Sequence, residues 1–422
     1  MPFSDVCNEY FAGEKKGVLM KVFSKITAVF FLLLPAALNA QVYVNPLLGN
    51  INVHDPSGII KEGNTYYVFY TGNLIPHKTS PDRITWTEAG PTISSPGWFK
   101  TYVPNNNDTD VWAPDISYRG GKYWLYYAVS TFGSNTSAIG LATSPTLNPA
   151  QWKDQGMVIR SISGNNYNCI DPSAFQDSDG ALWLVFGSFW SGIKLVQLDT
   201  LTGKPASSSP ALTSLAARTG GTTAIEAPFI IKRATYYYLF VSWDVCCQGV
   251  NSTYNIRFGR STTVTGPYSD QSGVAMASGG GTLLWSGDTR WKGPGGQSLF
   301  TDHDTVFLDC HSYDANANGQ SKLIIRPLFW TAGGWPTLSP TSAVTLGDNR
   351  TGARNEGLNV TFTATANRFI VPDGIRKGFK WCGVYTTQGK LLCRVPVGKS
   401  IDLKEFIGSV KGICLLRFFN PG

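Results

Sequence analysis

The chain carries little charge and little histidine. Asp, Glu, Lys and Arg make up 15% of its 422 residues, and the net charge at pH 7 is +7. Lys and Arg form no long run, so the sequence gives no sign of the clustered basic face that nucleic-acid binding requires. The four histidines, His54, His77, His303 and His311, are too few and too scattered to predict a metal centre built from several histidine ligands.

Common catalytic motifs and a disulfide framework are also missing. The sequence contains no GxSxG, HExxH or P-loop motif, which removes the usual signatures of serine hydrolases, zinc peptidases and nucleotide-phosphate sites. Of the eight cysteines, Cys7 precedes the predicted mature chain, and the others are an odd number at irregular spacings. We interpret the adjacent Cys246 and Cys247 as two small half-buried residues rather than as a redox site.

The one long apolar run lies near the start of the chain. Residues 20–40, MKVFSKITAVFFLLLPAALNA, combine a lysine-containing start, an apolar stretch from Ile26 to Leu34 and small residues up to Ala40. This pattern predicts a secretory signal peptide, and the apolar stretch is too short for a membrane-spanning helix. We therefore expect residues 1–40 to be a presequence, with Met20 as an alternative initiator. The mature chain is expected to be exported and to have no transmembrane segment.

Aromatic residues (13%) and glycines (45) are abundant, and they favour an all-β fold with many tight turns. Five segments share one plan, in which a proline-containing head is followed by short aromatic strands. They are HDPSGIIKEGNTYYVFYTG, WAPDISYRGGKYWLYYAVS, IDPSAFQDSDGALWLVFGSF, IEAPFIIKRATYYYLFVSW and GPGGQSLFTDHDTVFLDCHSY, with heads roughly 55 to 70 residues apart. This repeat predicts a five-bladed β-propeller over residues 41–347. A polar linker at 348–358 and a small C-terminal β-sandwich-like module at 359–422 are predicted to follow.

Three of the repeat heads carry a carboxylate. Asp55, Asp171 and Glu226 stand at the heads of repeats one, three and four. Because the innermost strand of each propeller blade lines the central channel, we expect these side chains to share one axial pocket. Carboxylates held together repel one another, so their pKa values separate, and such a separation is what acid–base catalysis needs. Without a nucleophilic serine or cysteine motif, the arrangement favours hydrolysis of glycosidic bonds.

Seven short motifs, taken in order, resemble those of one enzyme family. HDPSGI, VWAPDISY, NCIDPS, GSFWSGI, IEAPFI, CCQGVNSTYNIRFGRS and CHSYDANANG are similar to motifs of glycoside hydrolase family 43, and most similar to its endo-α-1,5-L-arabinanases. The resemblance spans residues 42–346 and implies an inverting enzyme that cleaves internal α-1,5-L-arabinofuranosyl linkages in arabinan. An exo-acting α-L-arabinofuranosidase or β-xylosidase of the same fold remains an alternative. A non-catalytic carbohydrate-binding propeller is less favoured, because it would be expected to lack one of the carboxylates.

The resemblance also implies a role for each site residue. Asp55 matches the general base that activates water, Glu226 the general acid that protonates the leaving oxygen, and Asp171 the carboxylate that tunes and orients the acid. The residues expected to contact arabinose units are Asn168, Ser188, Phe189 and Trp190, with Trp112 as a further aromatic lining residue. His311, in CHSYD, matches a histidine that holds a metal ion, expected to be calcium within an oxygen-rich shell.

The C-terminal residues resemble a different kind of segment. VYTTQGKLL, SIDLKEF and KGICLLRF are similar to small β-modules that sort or anchor secreted enzymes of Gram-negative bacteria. This resemblance implies a Gram-negative source, a location outside the cell or on its surface, and a partner in an export or attachment system. A docking module without a transport role remains an alternative.

Overall fold

The structure is a computed structural model that describes most of the chain between residues 45 and 339 and several C-terminal strands. The described residues are 45–148, 150–302, 305–339, 358–363, 368–370, 381–386, 391–396, 400–402 and 413–419. The predicted presequence (1–40) lies outside them, as does the predicted linker except for its last residue. One helix, α1 (Phe99–Tyr102), and three 3-10 turns (Gly249–Asn251, Met276–Ser278 and Ala315–Ala317) occur in the described part. No helix there is long and apolar enough to cross a membrane.

Twenty-one strands of the described residues form the propeller. The first ten are β1 (Leu48–Gly49), β2 (Ile60–Glu62), β3 (Thr65–Phe69), β4 (Gly72–Asn73), β5 (Pro76–Ser80), β6 (Thr85–Pro91), β7 (Asp110–Arg119), β8 (Lys122–Val129), β9 (Ser137–Ser144) and β10 (Lys153–Ser161). The next eleven are β11 (Ser173–Gln176), β12 (Leu182–Phe186), β13 (Ile193–Leu198), β14 (Thr213–Ala216), β15 (Ile225–Arg233), β16 (Tyr236–Trp243), β17 (Asn255–Ser261), β18 (Thr282–Trp285), β19 (Trp291–Asp302), β20 (Thr305–Asp314) and β21 (Gln320–Pro327).

These strands form five sheets, one for each blade, in the order of the chain. The strand orders are β1-β6-β5-β3-β2, β10-β9-β8-β7-β4, β11-β12-β13-β14, β15-β16-β17-β18 and β19-β20-β21. Strands such as β8 and β16 are buried along nearly their whole length, because each blade is covered on both faces by its neighbours. The five-bladed propeller predicted from the repeats is therefore confirmed.

The core consists of five hydrophobic clusters, each lying between two neighbouring blades. Each cluster contains residues of two successive blades, for example Phe69 and Tyr127, Leu141 and Phe186, Leu195 and Leu239, Phe240 and Leu308, and Phe300 and Val68. The last pair joins blade 5 to blade 1. The ring is thus closed by the same kind of apolar contact that joins the other blades.

The segment before the first repeat head strengthens this closure. The amide of Leu323 in blade 5 donates to the carbonyl of Ile51 (2.7 Å), and the side-chain amide of Asn45 donates to the carbonyl of Leu323 (2.7 Å). On its other side, β1 pairs in parallel with β6 of blade 1. Residues 45–52 therefore bridge the last blade and the first.

Each repeat head contains the same unusual backbone turn, called here the pre-proline turn. The residue before the head proline has a positive φ in all five blades: Asp55 (43°), Ala113 (41°), Asp171 (55°), Ala227 (47°) and Gly293 (51°). Positive φ is uncommon for residues other than glycine. The turn places Asp55 and Asp171 at equivalent positions, but Ala227 occupies that position in blade 4. Glu226 comes one residue earlier, at the position that His54 holds in blade 1.

Beyond the propeller the described residues remain all-β. A short ribbon joins β22 (Phe329–Trp330) to β23 (Pro336–Thr337). The C-terminal strands are β24 (Leu358–Thr363), β25 (Arg368–Ile370), β26 (Trp381–Thr386), β27 (Leu391–Pro396), β28 (Ser400–Asp402) and β29 (Ile413–Phe419). They form a four-stranded sheet, β24-β29-β26-β27, and a two-stranded sheet, β25-β28. The C-terminal β-strands predicted from the sequence are therefore present.

Candidate active site

Asp55 lies in the pre-proline turn of blade 1 and is held from three sides. Its Oδ2 accepts a hydrogen bond from Thr71 Oγ1 (2.9 Å) and lies 2.8 Å from His54 Nδ1. Its backbone N lies 3.1 Å from His311 Nδ1, which is also 3.4 Å from Asp55 Oδ1. Burial alone would raise the pKa of Asp55, but His54, His311 and the Thr71 hydrogen bond together hold it well below its usual range. Asp55 is therefore a carboxylate at neutral pH and can accept a proton.

His54 connects Asp55 to blade 5. Its Nε2 lies 2.9 Å from the hydroxyl of Tyr313, and its ring stacks on His311 with centroids 4.0 Å apart. Burial would lower the pKa of His54, but the charge and hydrogen bond of Asp55 outweigh burial and raise it. The result is a His54–Asp55 pair in which each side chain stabilises the charged form of the other.

The pKa of Glu226, near the start of β15, is shifted in the opposite direction from that of Asp55. Its Oε1 accepts a hydrogen bond from Ser188 Oγ (2.7 Å), and its Oε2 accepts one from the Tyr254 hydroxyl. These hydrogen bonds favour the ionised form, but burial together with the charge of Asp55 outweighs them and raises the pKa of Glu226. Glu226 therefore keeps its proton to higher pH than an ordinary glutamate does.

Asp171 occupies the pre-proline turn of blade 3. Its Oδ2 accepts the backbone N–H of Ala227 (2.9 Å), the residue that follows Glu226. Burial, followed by the charges of Glu226 and Asp55, raises the pKa of Asp171 well above its usual value. The three carboxylates thus influence one another electrostatically, as the repeat pattern predicts for a shared axial pocket.

Three of the predicted substrate residues, Ser188, Phe189 and Trp190, lie in one turn that approaches Glu226. Ser188 contacts Glu226 directly, and the N–H of Phe189 donates to the carbonyl of Ile225, next to Glu226. Phe189 and Trp190 both have positive φ (51° and 40°), and 37% of Trp190 is exposed, so this turn presents an aromatic side chain to solvent.

The other two predicted substrate residues lie in neighbouring blades. Asn168 is buried, its side-chain N–H donates to the carbonyl of Ser134 (3.4 Å), and its Oδ1 has no hydrogen-bond partner among the described residues. A buried acceptor without a partner is costly, which favours a polar group or water at this place. Trp112 immediately precedes the pre-proline Ala113 and so holds in blade 2 the position of Glu226 in blade 4.

Gly296 in blade 5 determines how closely the backbone approaches Asp55. Its φ is +58°, and its N–H donates to Ser242 Oγ (3.0 Å). A Cβ added at this position would lie 2.6 Å from Asp55 Oδ1 and 2.9 Å from His311 Nδ1. Both distances are shorter than van der Waals contact, so only glycine fits here without displacing Asp55 or His311.

The site also contains residues to which the sequence assigned no role: His54, Thr71, Tyr254, Tyr313 and Gly296. His54 and Gly296 stand inside quoted motifs, next to or near a head proline, and that position was the available signal. Thr71 and Tyr254 also stand inside quoted segments, but Thr71 follows β3 and Tyr254 precedes β17, away from the head prolines. Their contacts with the carboxylates depend on the fold, and nothing local in the sequence distinguished them from their neighbours.

The surroundings of His311 fit a cation. Its Nε2 is buried and has no hydrogen-bond partner among the described residues. Burial and the charge of His54 lower the pKa of His311 to about 3, so the ring is neutral, which is the form that binds metals. Ligand atoms of His54, Asp55 and His311 all lie within 4.8 Å of one another. One imidazole beside a carboxylate is compatible with a calcium ion that takes its other ligands from oxygen.

Fold and carboxylates together define a propeller glycosidase, an enzyme that hydrolyses a glycosidic bond with two carboxyl groups of different pKa. The sequence model of Glycosyl hydrolases family 43 matches residues 43–336. The chain belongs to this family. The resemblance of the seven motifs is thereby confirmed.

Individual relatives agree with the family. The extracellular endo-alpha-(1->5)-L-arabinanase 1 of Bacillus subtilis (strain 168) is 52% identical over 291 residues, which cover 68% of this chain and 87% of that protein. An extracellular exo-alpha-(1->5)-L-arabinofuranosidase of Cellvibrio japonicus (strain Ueda107) is 42% identical over 300 residues, covering 68% and 86%. A solved GH43 endo-arabinanase from Bacillus licheniformis is 52% identical, with a TM-score of 0.66, and the match covers 70% of this chain and 100% of that one.

Proposed function

We propose that the protein hydrolyses internal α-1,5-L-arabinofuranosyl linkages in arabinan. The observation that carries the proposal is the pair of opposite pKa shifts in one pocket, which leaves Asp55 ionised while Glu226 keeps its proton to higher pH. The substrate is supported by the 52% identity to a protein whose name describes an endo-arabinanase.

The geometry supports a distinct role for each carboxylate. Asp55 takes a proton from a water molecule as the water attacks the anomeric carbon, and Glu226 gives its proton to the leaving oxygen. A single displacement of this kind inverts the anomeric configuration. Asp171 orients the acid by holding the backbone N–H of Ala227. Ser188 and Tyr254 fix the two oxygens of Glu226, so the acid meets the glycosidic oxygen in one orientation.

The substrate contacts follow the same blades. Phe189 and Trp190 lie in the turn whose backbone bonds Ile225, next to Glu226, and Trp112 holds in blade 2 the place that Glu226 holds in blade 4. Asn168 supplies the unpartnered buried acceptor described above, which suits a sugar hydroxyl. We assign all four residues, with Ser188, to arabinose binding.

An exo-acting enzyme is the second candidate, because the Cellvibrio japonicus relative carries that activity in its name. The test is to incubate the protein with linear debranched arabinan and to separate the products by size over time. Mixed oligosaccharides and an early fall in viscosity are expected for endo cleavage. Release of arabinose or one short product from the start would instead establish exo action, and products from xylan alone would overturn the substrate.

We also propose that His311 binds a calcium ion through Nε2, in the tautomer that carries its hydrogen on Nδ1, 3.4 Å from Asp55 Oδ1. A bound ion would supply positive charge and ordered water to the pocket. At a hundredfold excess over its dissociation constant, calcium should stabilise the folded state by about 2.7 kcal/mol. Thermal unfolding with calcium and with a chelator should therefore differ, and the difference should vanish in His311→Gln but persist in His77→Gln. An identical unfolding temperature in calcium and chelator would contradict the proposal.

Finally, we propose that the protein acts outside the cell of a Gram-negative bacterium. The names of the Bacillus subtilis and Cellvibrio japonicus relatives describe extracellular proteins. The C-terminal module is proposed to sort or anchor the enzyme through an export or attachment system. Cell fractionation should find the full chain at the cell surface and a chain that ends at residue 347 in the medium. Equal distribution of both forms would reject the anchoring role.

A further inference from the structure

The adjacent cysteines Cys246 and Cys247 are joined by a disulfide bond, and are not the two independent small residues that the sequence suggested. They lie in the loop between β16 and β17, residues 244–254, called here the disulfide loop. Cys247 is exposed and Cys246 is half-buried, so the disulfide is accessible to solvent.

The disulfide touches the residues that surround Asp55. Cys247 Sγ lies 3.8 Å from His54 Nε2, and the N–H of Cys247 donates to the hydroxyl of Tyr313 (2.8 Å). The same hydroxyl lies 2.9 Å from His54 Nε2. Because the other nitrogen of His54 contacts Asp55, the His54 ring connects the exposed sulfur to the proposed base.

The other end of the disulfide loop touches the proposed acid. Tyr254 donates to Glu226 and ends the loop. The two ends are tied together, since the amides of Thr253 and Tyr254 both donate to the carbonyl of Val245 (2.9 and 3.1 Å). The disulfide thus belongs to a closed loop that spans from His54 to Glu226, along one side of the catalytic pocket.

A disulfide in this place offers a sugar an apolar, polarisable surface. Its two sulfurs donate no hydrogen bonds, and sulfur makes favourable contacts with apolar groups. The C–H faces of an arabinofuranose ring are apolar in the same way. We propose that the Cys246–Cys247 disulfide contacts the bound arabinan chain, and that its reversible reduction weakens substrate binding. The inference rests on the proposed arabinanase function.

The chemistry of the switch is ordinary thiol–disulfide exchange. A thiolate of a dithiol reductant attacks one sulfur and the Cys246–Cys247 bond breaks; the second thiol of the reductant then closes a cyclic disulfide, which leaves the two electrons on the cysteine sulfurs. Each cysteine sulfur ends with one proton. Between residues 45 and 339 the other described cysteines, Cys169 and Cys310, are buried free thiols, so the reductant has no second disulfide to act on in that part of the chain. Outside the cell the oxidised form is expected to persist.

The test compares Michaelis constants of the oxidised and reduced full-length protein on debranched arabinan. Products are separated by chromatography, because thiols disturb reducing-sugar assays. Alkylation and peptide mass analysis establish that Cys246 and Cys247 have been reduced. We expect reduction to raise KM at least fivefold, to change kcat less than twofold, and to be reversed by reoxidation. The double variant Cys246→Ser/Cys247→Ser should have the KM of the reduced protein and should not respond to dithiothreitol.

Three results would count against this assignment. An unchanged KM when both cysteines are alkylated would show that the disulfide does not contact substrate. A fall in kcat at constant KM would assign it to the positioning of His54 and Asp55 instead. A response to dithiothreitol in the double variant would place the reducible group elsewhere. The oxidised protein is assayed first, because a lack of arabinan hydrolysis would overturn the proposed function itself rather than the role of the disulfide.

Discussion

At the scale of single residues, the surroundings of two carboxylates determine their different chemistry. At Asp55, two imidazoles and a threonine hydroxyl outweigh burial and lower the pKa, whereas at Glu226 burial and the charge of Asp55 outweigh the hydroxyls of Tyr254 and Ser188 and raise the pKa. The first environment stabilises the ionised form and the second disfavours it. Because both shifts come from fixed neighbours, each can be tested by removing one neighbour or one carboxylate.

Removing the acid should affect substrates unequally. Glu226→Ala should lower kcat on arabinan by about 10²- to 10⁴-fold, the usual contribution of a general acid. An aryl arabinofuranoside whose leaving group needs no proton should be hydrolysed at close to the original rate. Steady-state kinetics on both substrates measure the contrast. Asp55→Asn is the matched comparison, because loss of the base should affect both substrates, and an equal loss in Glu226→Ala would contradict its assignment.

Removing a hydrogen bond to the acid should shift the pH profile. The Tyr254 hydroxyl lowers the pKa of Glu226, so Tyr254→Phe should raise that pKa further. The alkaline limb of kcat/KM reports loss of the proton from the acid and should therefore move to higher pH, while the acidic limb stays in place. Tyr118→Phe, which removes the hydroxyl of an exposed tyrosine, should leave both limbs unchanged. A shift to lower pH in Tyr254→Phe would contradict the proposed hydrogen bond.

The carboxylates were predictable from the sequence, while their supporting residues were not. Asp55 and Asp171 each precede a head proline, so the repeat itself marked them. Thr71 lies 16 residues beyond Asp55, and Tyr254 lies 28 residues beyond Glu226. Thr71 follows β3 and Tyr254 precedes β17, so their contacts with Asp55 and Glu226 depend on where these strands lie relative to the propeller axis. That position is set by packing between blades, which a single sequence does not display.

At the scale of elements, the pre-proline turn explains a difference between sequence and structure. Aligning the heads by residue type puts Glu226 level with Asp55 and Asp171. Aligning them by proline and backbone angle puts Ala227 there instead. The turn is therefore the repeated unit, and Glu226, the proposed acid, is the residue that precedes the turn position in blade 4. This offset lets Asp171 hold the N–H of Ala227 while the side chain of Glu226 turns towards Ser188 and Tyr254.

The close approach of Gly296 in blade 5 to Asp55 can be tested by adding one methyl group. In Gly296→Ala the new Cβ would meet Asp55 Oδ1 at 2.6 Å, so Asp55 must move. Displacement of a catalytic group by about 1 Å costs roughly 100-fold in rate, and a loss of kcat/KM of at least this size is expected. Gly63→Ala is the control, because Gly63 has nearly the same φ (+57°) and no atom within 4 Å of an added Cβ. It should lose only about 1 kcal/mol of stability and no activity.

The comparison separates a clash from backbone strain. Both variants place alanine at a positive φ, so a similar fall in unfolding temperature is expected from the backbone. If Gly63→Ala lost activity as Gly296→Ala does, strain rather than contact with Asp55 would be responsible.

At the scale of the whole molecule, stability depends on closing the ring. Leu47 is 8% exposed and belongs to the cluster between blades 5 and 1, whereas the adjacent Leu48 is 60% exposed. Leu47→Ala should therefore lower the free energy of unfolding by about 2–3 kcal/mol, and Leu48→Ala by less than about 0.5 kcal/mol. Chemical denaturation of the two variants measures the difference. Equal values would mean that residues 45–52 do not support the closure.

The same closure has a consequence for the order in which the chain acquires its structure. Asn45 and Leu323, which are joined by a hydrogen bond, are 278 residues apart in the chain. During synthesis from the N-terminus, the first blade is made long before its partner on that side exists, and its apolar face stays uncovered until the fifth blade appears. Contacts between such distant residues form slowly. The complete ring is therefore a late event, and the interval before it is the period in which the chain is most exposed to aggregation and proteolysis.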